Sequence, residues 1–277
     1  MTAPIRQASA PAVPLFEADS IGRTFGLRRV LTAASLRIRN RNVTVLLGRN
    51  GCGKSTLVRI MLGFLRADWG TVRWDGATLA RPRLHKLAHK GVFFIPERDL
   101  LARNRTVADH FAILGRVFDV DTAPVIAELR IGPLLDRSAP QLSVGQRRRV
   151  ELGLALARSP RCLIADELFL GLAPRDAEQI SAAVRRLAAN GCAILLTGHE
   201  VNWLLPLANE IVWMVAGTTH SLGSPQDAAA HDQFRREYLG THVPPEKPPP
   251  SPAYFESLMR TSVARSMHGV HRIQVVE

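Results

Sequence analysis

The stretch GRNGCGKST, residues 48–56, decides how the rest of this 277-residue sequence is read. It fits the pattern G-x-x-x-x-G-K-[ST] and stands between VTVLL (43–47), a buried-strand run, and an expected helix over 54–65. In that setting the glycines let the backbone turn its N–H groups onto the β- and γ-phosphates of a nucleotide. Lys54 adds a point charge and Ser55 offers a hydroxyl to Mg²⁺, while Gly48, Arg49, Asn50, Gly51, Cys52, Gly53 and Thr56 complete the loop. Cys52 reads as a small residue that fits there. The motif implies a nucleoside triphosphate site.

Working outward, apolar residues between 15 and 47 alternate in short runs with a turn at 40–42, which predicts several strands. WGTVRWDG (69–76) predicts a strand ending in a turn at Asp75-Gly76, and GVFFIP (91–96) another buried strand. Residues 98–142 lack strand signals and read as mostly helical. An alternation then follows: helix 146–158, strand 162–165, helix 174–190, strand 192–196, helix 200–208, strand 210–215. Pro174 in the first turn, Asp176 and Glu178 at the positive end and Gly191 as terminator mark the helix 174–190. Strands alternating with helices predict an α/β fold, a P-loop NTPase with a mainly parallel central sheet. An N-terminal antiparallel β part and a helical subdomain at 98–142 are expected beside it.

CLIADE (162–167) is an apolar strand delivering two carboxylates. Downstream of a phosphate loop, Asp166 is placed for the Mg²⁺ hydration shell and Glu167 for deprotonating an attacking water. A second phosphate device lies at LSVGQRRRV (142–150), where Ser143, Gly145 and Gln146 open a helix with free N–H groups.

Taken with the phosphate loop and CLIADE, LSVGQ resembles the LSGGQ signature of the ATP-binding cassette (ABC) family, with Val144 replacing one glycine. Ser143 follows Lys54 by 89 residues, the spacing that family uses for a helical subdomain. The resemblance covers residues 15–240 and implies further roles. Phe25 would stack on adenine, and His199 in LLTGHE would be the switch histidine. Two cassettes would dimerise head to tail, so that the signature of one completes the ATP site of the other. The second cassette would be another copy or a homologue, and separate transmembrane permease subunits would be the transport partners. The chain would sit peripherally on the cytoplasmic face of a membrane.

Three further positions depart from the family. Glu97 stands where a Gln usually contacts Mg²⁺ and the transport partner, so metal binding is expected to persist with altered coupling. Leu168 replaces a Pro and Ala173 an Asp, which implies weaker communication between paired sites. A dimerising scaffold with little hydrolysis is therefore the competing reading. Chromosome-maintenance relatives would need long coiled coils or zinc modules, which this sequence lacks. DQFRREYLG (232–240) resembles the close of cassettes from lipopolysaccharide-export and branched-chain amino-acid-uptake systems, which run in opposite directions.

Composition excludes other classes. Hydrophobic residues make up 46% of the chain, as in a globular protein, yet no apolar run approaches the ~20 residues of a membrane span. The N-terminal residues 1–14 read as a disordered lead-in without a signal-peptide block. Residues 241–277 read as a Pro-rich linker followed by a segment that can form an amphipathic helix through Phe255, Met259 and Val263. Cys52, Cys162 and Cys192 share no C-x-x-C spacing, which argues against zinc or a disulfide framework. The net charge of +12 resides in residues 1–96, which hold 16 Lys and Arg against 4 Asp and Glu. Aromatic residues are few among these bases, so nucleic acid is not the expected partner.

Overall fold

The computed structural model describes residues 13–239; the start of the lead-in and the Pro-rich tail with its amphipathic segment lie outside them. Among the described residues ten strands form one sheet: β1 (Phe16–Phe25), β2 (Arg28–Ile38), β3 (Val43–Leu47), β4 (Trp69–Trp74), β5 (Ala77–Thr78), β6 (Val92–Ile95), β7 (Cys162–Asp166), β8 (Ala193–Gly198), β9 (Glu210–Val215) and β10 (Thr218–Gly223). Their spatial order is β5-β4-β1-β2-β10-β9-β3-β8-β7-β6. The helices are α1 (Lys54–Met61), α2 (Leu84–His89), α3 (Val107–Phe118), α4 (Ala123–Glu128), α5 (Val144–Arg158), α6 (Pro174–Ala189), α7 (Val201–Leu204), α8 (Pro225–Ala230) and α9 (Asp232–Phe234).

The strand pairing separates two halves. β9, β3, β8, β7 and β6 run parallel to one another, and every residue of β3, β7 and β8 is buried. That is why these segments read as unbroken apolar runs rather than alternating ones. β1, β2, β4 and β5 pair antiparallel, and burial alternates over parts of β1, β2 and β4, in keeping with the short apolar runs of the N-terminal sequence. A second apolar cluster, built on Val107, Phe111, Leu114, Ile131 and Leu134, lies between residues 98 and 142 and is completed by Val150 and Leu154 of α5.

Two expected helices end early for local reasons. α1 stops at Met61 rather than Leu65 because Gly63 adopts φ +82°. The Phe64 N–H then donates to the Arg59 carbonyl at 2.8 Å and the Gly63 N–H to that of Ile60 at 3.1 Å, a Schellman termination. A Cβ at Gly63 would lie 1.9 Å from the Pro82 carbonyl oxygen. Gly63→Ala is accordingly expected to destabilise the fold by about 1–3 kcal/mol, read as a lowered urea midpoint. The helix expected over 200–208 is α7 followed by a 3-10 turn, Leu205–Leu207, because Pro206 has no N–H to continue the α-helical ladder.

Candidate functional site

Parallel pairing brings the carboxyl ends of four strands to one edge. Leu47 lies opposite Gly198, Asp166 opposite Thr197 and Ile95 opposite Ala165. The phosphate loop, Glu97, Asp166, Glu167 and His199 all leave the sheet at this edge, where open α/β sheets bind their ligands. A cleft of about 330 Å³ here is lined by Asn50, Gly51, Gly53, Lys54, Ser55, Thr56, Glu97, Glu167 and His199. Val30 and Leu170 complete its wall. Neither carries a recognisable signal in the sequence, because an aliphatic side chain flags no chemistry until the fold places it.

The loop is built to receive an anion. Gly51 (φ +79°) and Gly53 (φ +117°) hold left-handed conformations that turn the chain into α1. α1 begins without a side-chain cap and without an acid in its first turn, whereas α3, α5 and α8 each carry a capping box. Its first N–H groups therefore remain available to a ligand. Lys54 is buried, and its Nζ bonds only the Gly48 carbonyl, at 2.6 Å, with no carboxylate partner among the described residues. A buried ammonium without a counter-ion is what a phosphate site requires.

Not every loop residue faces the cleft. Gly48 contributes its carbonyl to Lys54 and has no room for a side chain, since a Cβ would lie 2.5 Å from the Cys52 sulfur. Cys52 is half-buried and packs against the central apolar cluster. Arg49 points to Glu237, Nε to Oε2 3.5 Å. Beside that pair, Tyr238 stacks on Phe234 with ring centroids 5.0 Å apart, and burial pushes its hydroxyl up to about 12. The segment after α9 thus braces the outer side of the loop.

The carboxylates differ sharply in environment. Asp166 hydrogen-bonds the Thr197 hydroxyl and lines, with Ser55 and Glu97, an adjoining cavity of about 690 Å³. Glu167 has φ +50°, an uncommon conformation for a residue with a Cβ, held by its N–H donating to the Thr197 carbonyl at 3.1 Å. Its Oε2 is buried and makes no aligned hydrogen bond, although His199 Nδ1 lies 3.1 Å away. Burial raises the Glu167 carboxyl above the ordinary range; His199 opposes the shift, and Glu200 and Asp166 add to it. Glu200 also reaches the other ring nitrogen of His199, at 3.4 Å. Glu97 pairs with its neighbour Arg98 at 3.3 Å.

Arg148 ties these parts together and had no distinguishing signal within the run of arginines at 147–149. It is buried on α5 and donates to the carbonyls of Pro96 (3.0 Å), Glu97 (2.8 Å) and Glu167 (3.2 Å), and to Glu151 Oε2 (2.8 Å).

Phe25, Ser143, Gly145, Gln146 and Asp166 are not among the residues lining the phosphate-loop cleft. Phe25 is 42% exposed at the end of β1, with the Arg23 guanidinium 4.7 Å from its ring centroid. Ser143 caps α5: its hydroxyl accepts from the Gln146 N–H at 3.2 Å, and the Gln146 carboxamide accepts from the Ser143 N–H at 3.0 Å. A Cβ on Gly145 would collide with the Asp176 carboxylate at 2.0 Å. Val144 is 46% exposed beside them, and Leu168 is fully buried while Ala173 precedes α6 without a side-chain cap.

Residues 31–169 match the protein family described as ABC transporter. The chain is 31% identical over 235 residues to the lipopolysaccharide export system ATP-binding protein LptB of Acidithiobacillus ferridurans, covering 82% of this chain and 97% of the relative. It is 28% identical to the protein of that name from Escherichia coli (strain K12), over 80% of this chain and 96% of the relative. Among solved structures, the ADP conformation of MJ1267, an ATP-binding cassette of an ABC transporter, superposes with TM-score 0.71 at 25% identity, covering 82% of this chain and 99% of that one. A nucleotide-free cassette of an ABC transporter matches with TM-score 0.72 at 23% identity, covering 83% and 99%.

Proposed function

This chain belongs to the ABC transporter family, and from that premise we propose that it hydrolyses ATP to power a transporter whose membrane-spanning subunits are separate chains. One observation carries the reading most directly. A buried, unpaired Lys54 at an uncapped helix start shares a cleft with Glu167, whose buried oxygen has no aligned partner. The N–H groups of the loop and Lys54 hold the β- and γ-phosphates of ATP. Ser55 and Asp166 hold Mg²⁺, with Glu97 at the same junction of the two cavities. The metal supplies charge neutralisation of the phosphates. Glu167 accepts the proton of the attacking water, and His199, with Nδ1 3.1 Å from the carboxylate, positions it.

The signature works in trans. Ser143 and Gln146 satisfy one another at the start of α5 and, with Gly145, complete the ATP site of a second cassette, either another copy or a homologue. ATP favours the closed pair, and loss of the γ-phosphate releases it. Phe25 stacks on adenine at the exposed tip of β1. The cassette domain is residues 15–240, with the helical subdomain 98–142 meeting the permease. Ile113 and Val117, 46% and 55% exposed and one turn apart on α3, give that surface an apolar face. Among the described residues no helix is long and apolar enough to cross a membrane, which suits a peripheral subunit on the cytoplasmic face.

Ser143→Ala is expected to cost about 1 kcal/mol of stability through the lost cap. It is also expected to lower ATP turnover by more than that loss accounts for, because the trans contact disappears as well. Steady-state phosphate release from the purified full chain, with light scattering in the presence and absence of ATP, tests the whole reading. Mg²⁺-dependent turnover with ATP-dependent dimers is the expected result. Absence of both phosphate release and an ATP-dependent dimer would overturn it.

A further inference from the structure

The charge excess of residues 1–96 has no part in ATP hydrolysis beyond Lys54, and the structure shows where it goes. All four acids of that region are already paired. Glu17 holds Arg37 and Arg73, Asp19 holds Arg73, Asp68 holds Arg23 at 2.7 Å, and Asp75 holds Arg161 at 2.9 Å. Of the surplus arginines, Arg39 and Arg49 meet acids from further along the chain, Glu210 and Glu237, and three others, Arg66, Arg81 and Arg83, line a single cavity of about 420 Å³. None of the three makes an ion pair or a side-chain hydrogen bond among the described residues, and no acidic residue lines the cavity.

The cavity lies between the turn that follows α1 and the loop joining β5 to α2. The close approach of Gly63 to Pro82 sets the spacing of these two segments, since no side chain fits between them. The backbone N–H groups of Arg66, Ala67, Ala80, Arg81 and Arg83 donate to no acceptor among the described residues. Thr71 and Thr78 add hydroxyls, and Leu79 an apolar wall. Guanidinium groups have the planar fork that matches phosphate oxygens, and several around one cavity repel each other unless an anion lies between them. The volume falls within the range of small-molecule pockets.

We propose that this cavity binds a phosphate ester with a small polar body, either free in solution or displayed as the headgroup of an anionic lipid. The site is separate from the nucleotide cleft and does not depend on the chain being an ATPase.

The test uses the full chain and two probes: glycerol 3-phosphate by calorimetric titration, and cosedimentation with phosphatidylcholine vesicles with and without phosphatidylglycerol. Wild-type protein is expected to bind at least one probe. The triple variant Arg66→Gln, Arg81→Gln, Arg83→Gln is expected to lose about tenfold or more in affinity, with ATP turnover unchanged. Binding of the soluble ester alone identifies a free ligand, and binding only to phosphatidylglycerol vesicles identifies the lipid; both support the site. A control, Arg103→Gln, Arg105→Gln, Arg116→Gln, removes the same charge from exposed positions elsewhere and is expected to bind as wild type. Equal loss in the control would overturn the proposal in favour of general electrostatic attraction. So would failure of wild type to bind either probe, or duplex DNA binding more tightly than both with the same dependence on the three arginines.

Discussion

Glu167→Gln is expected to lower kcat for ATP hydrolysis by about 10²–10⁴-fold while leaving the KM for ATP within a few-fold of wild type. The substitution keeps the shape of the side chain, and the backbone that fixes it, φ +50° with the N–H on the Thr197 carbonyl, does not depend on the carboxylate. What is lost is the oxygen that takes the proton. The cleft residues proposed to hold phosphate, Lys54 and the loop amides, are untouched, so ATP is expected still to bind. A dimer that closes on ATP and cannot hydrolyse it should accumulate, visible as a doubled mass by light scattering. Because burial raises the Glu167 carboxyl, the wild-type rate should also fall on acidification at a higher pH than an ordinary carboxylate would dictate. The base works only when ionised, and its proton is held more tightly than in water. A Glu167→Gln enzyme retaining a tenth or more of the wild-type kcat would remove this residue from the role.

Arg148→Met is expected to be the most damaging substitution for stability, at about 3–5 kcal/mol. The guanidinium is buried and satisfies three carbonyls and one carboxylate. Without it Glu151, itself fully buried with one oxygen already lacking a partner, becomes an uncompensated charge. For a chain of this size the loss corresponds to a fall in Tm of about 6–20 °C. The variant Arg148→Met, Glu151→Leu should recover much of that stability, because it removes both charges together. It should not recover turnover. Arg148 is the residue that fastens the Glu97 and Glu167 carbonyls to α5, the helix that carries the signature, and no apolar side chain can hold them. Urea unfolding and ATPase rates on the same preparations separate the two effects. Stability and turnover returning together would mean that Arg148 only fills space.

These two residues mark the border between what could be read and what had to be seen. Lys54, Ser55, Asp166 and Glu167 were legible because phosphate and metal chemistry demand fixed residue types at the end of buried strands, and that demand leaves a pattern within a few residues. The parallel half of the sheet was legible for the same kind of local reason, since strands buried on both faces read as unbroken apolar runs. Helix ends at Met61 and Leu204 were misjudged by a few residues, because a left-handed Gly63 and the missing N–H of Pro206 act only once the chain turns.

Arg148 could not be told from Arg147 and Arg149 by type or spacing. Its distinction is that α5 points it inward to carbonyls about twenty and fifty residues away. Likewise the sequence showed an excess of positive charge but not that every nearby acid was already taken, nor that three of the remaining arginines share a cavity. By itself, then, the sequence determined the family, and it carried the phosphate-loop motif and the acids of the candidate site in contiguous residues. The tertiary structure alone decided which side chains meet across long separations, because charge pairing and burial depend on distance in space, which residue order does not encode locally.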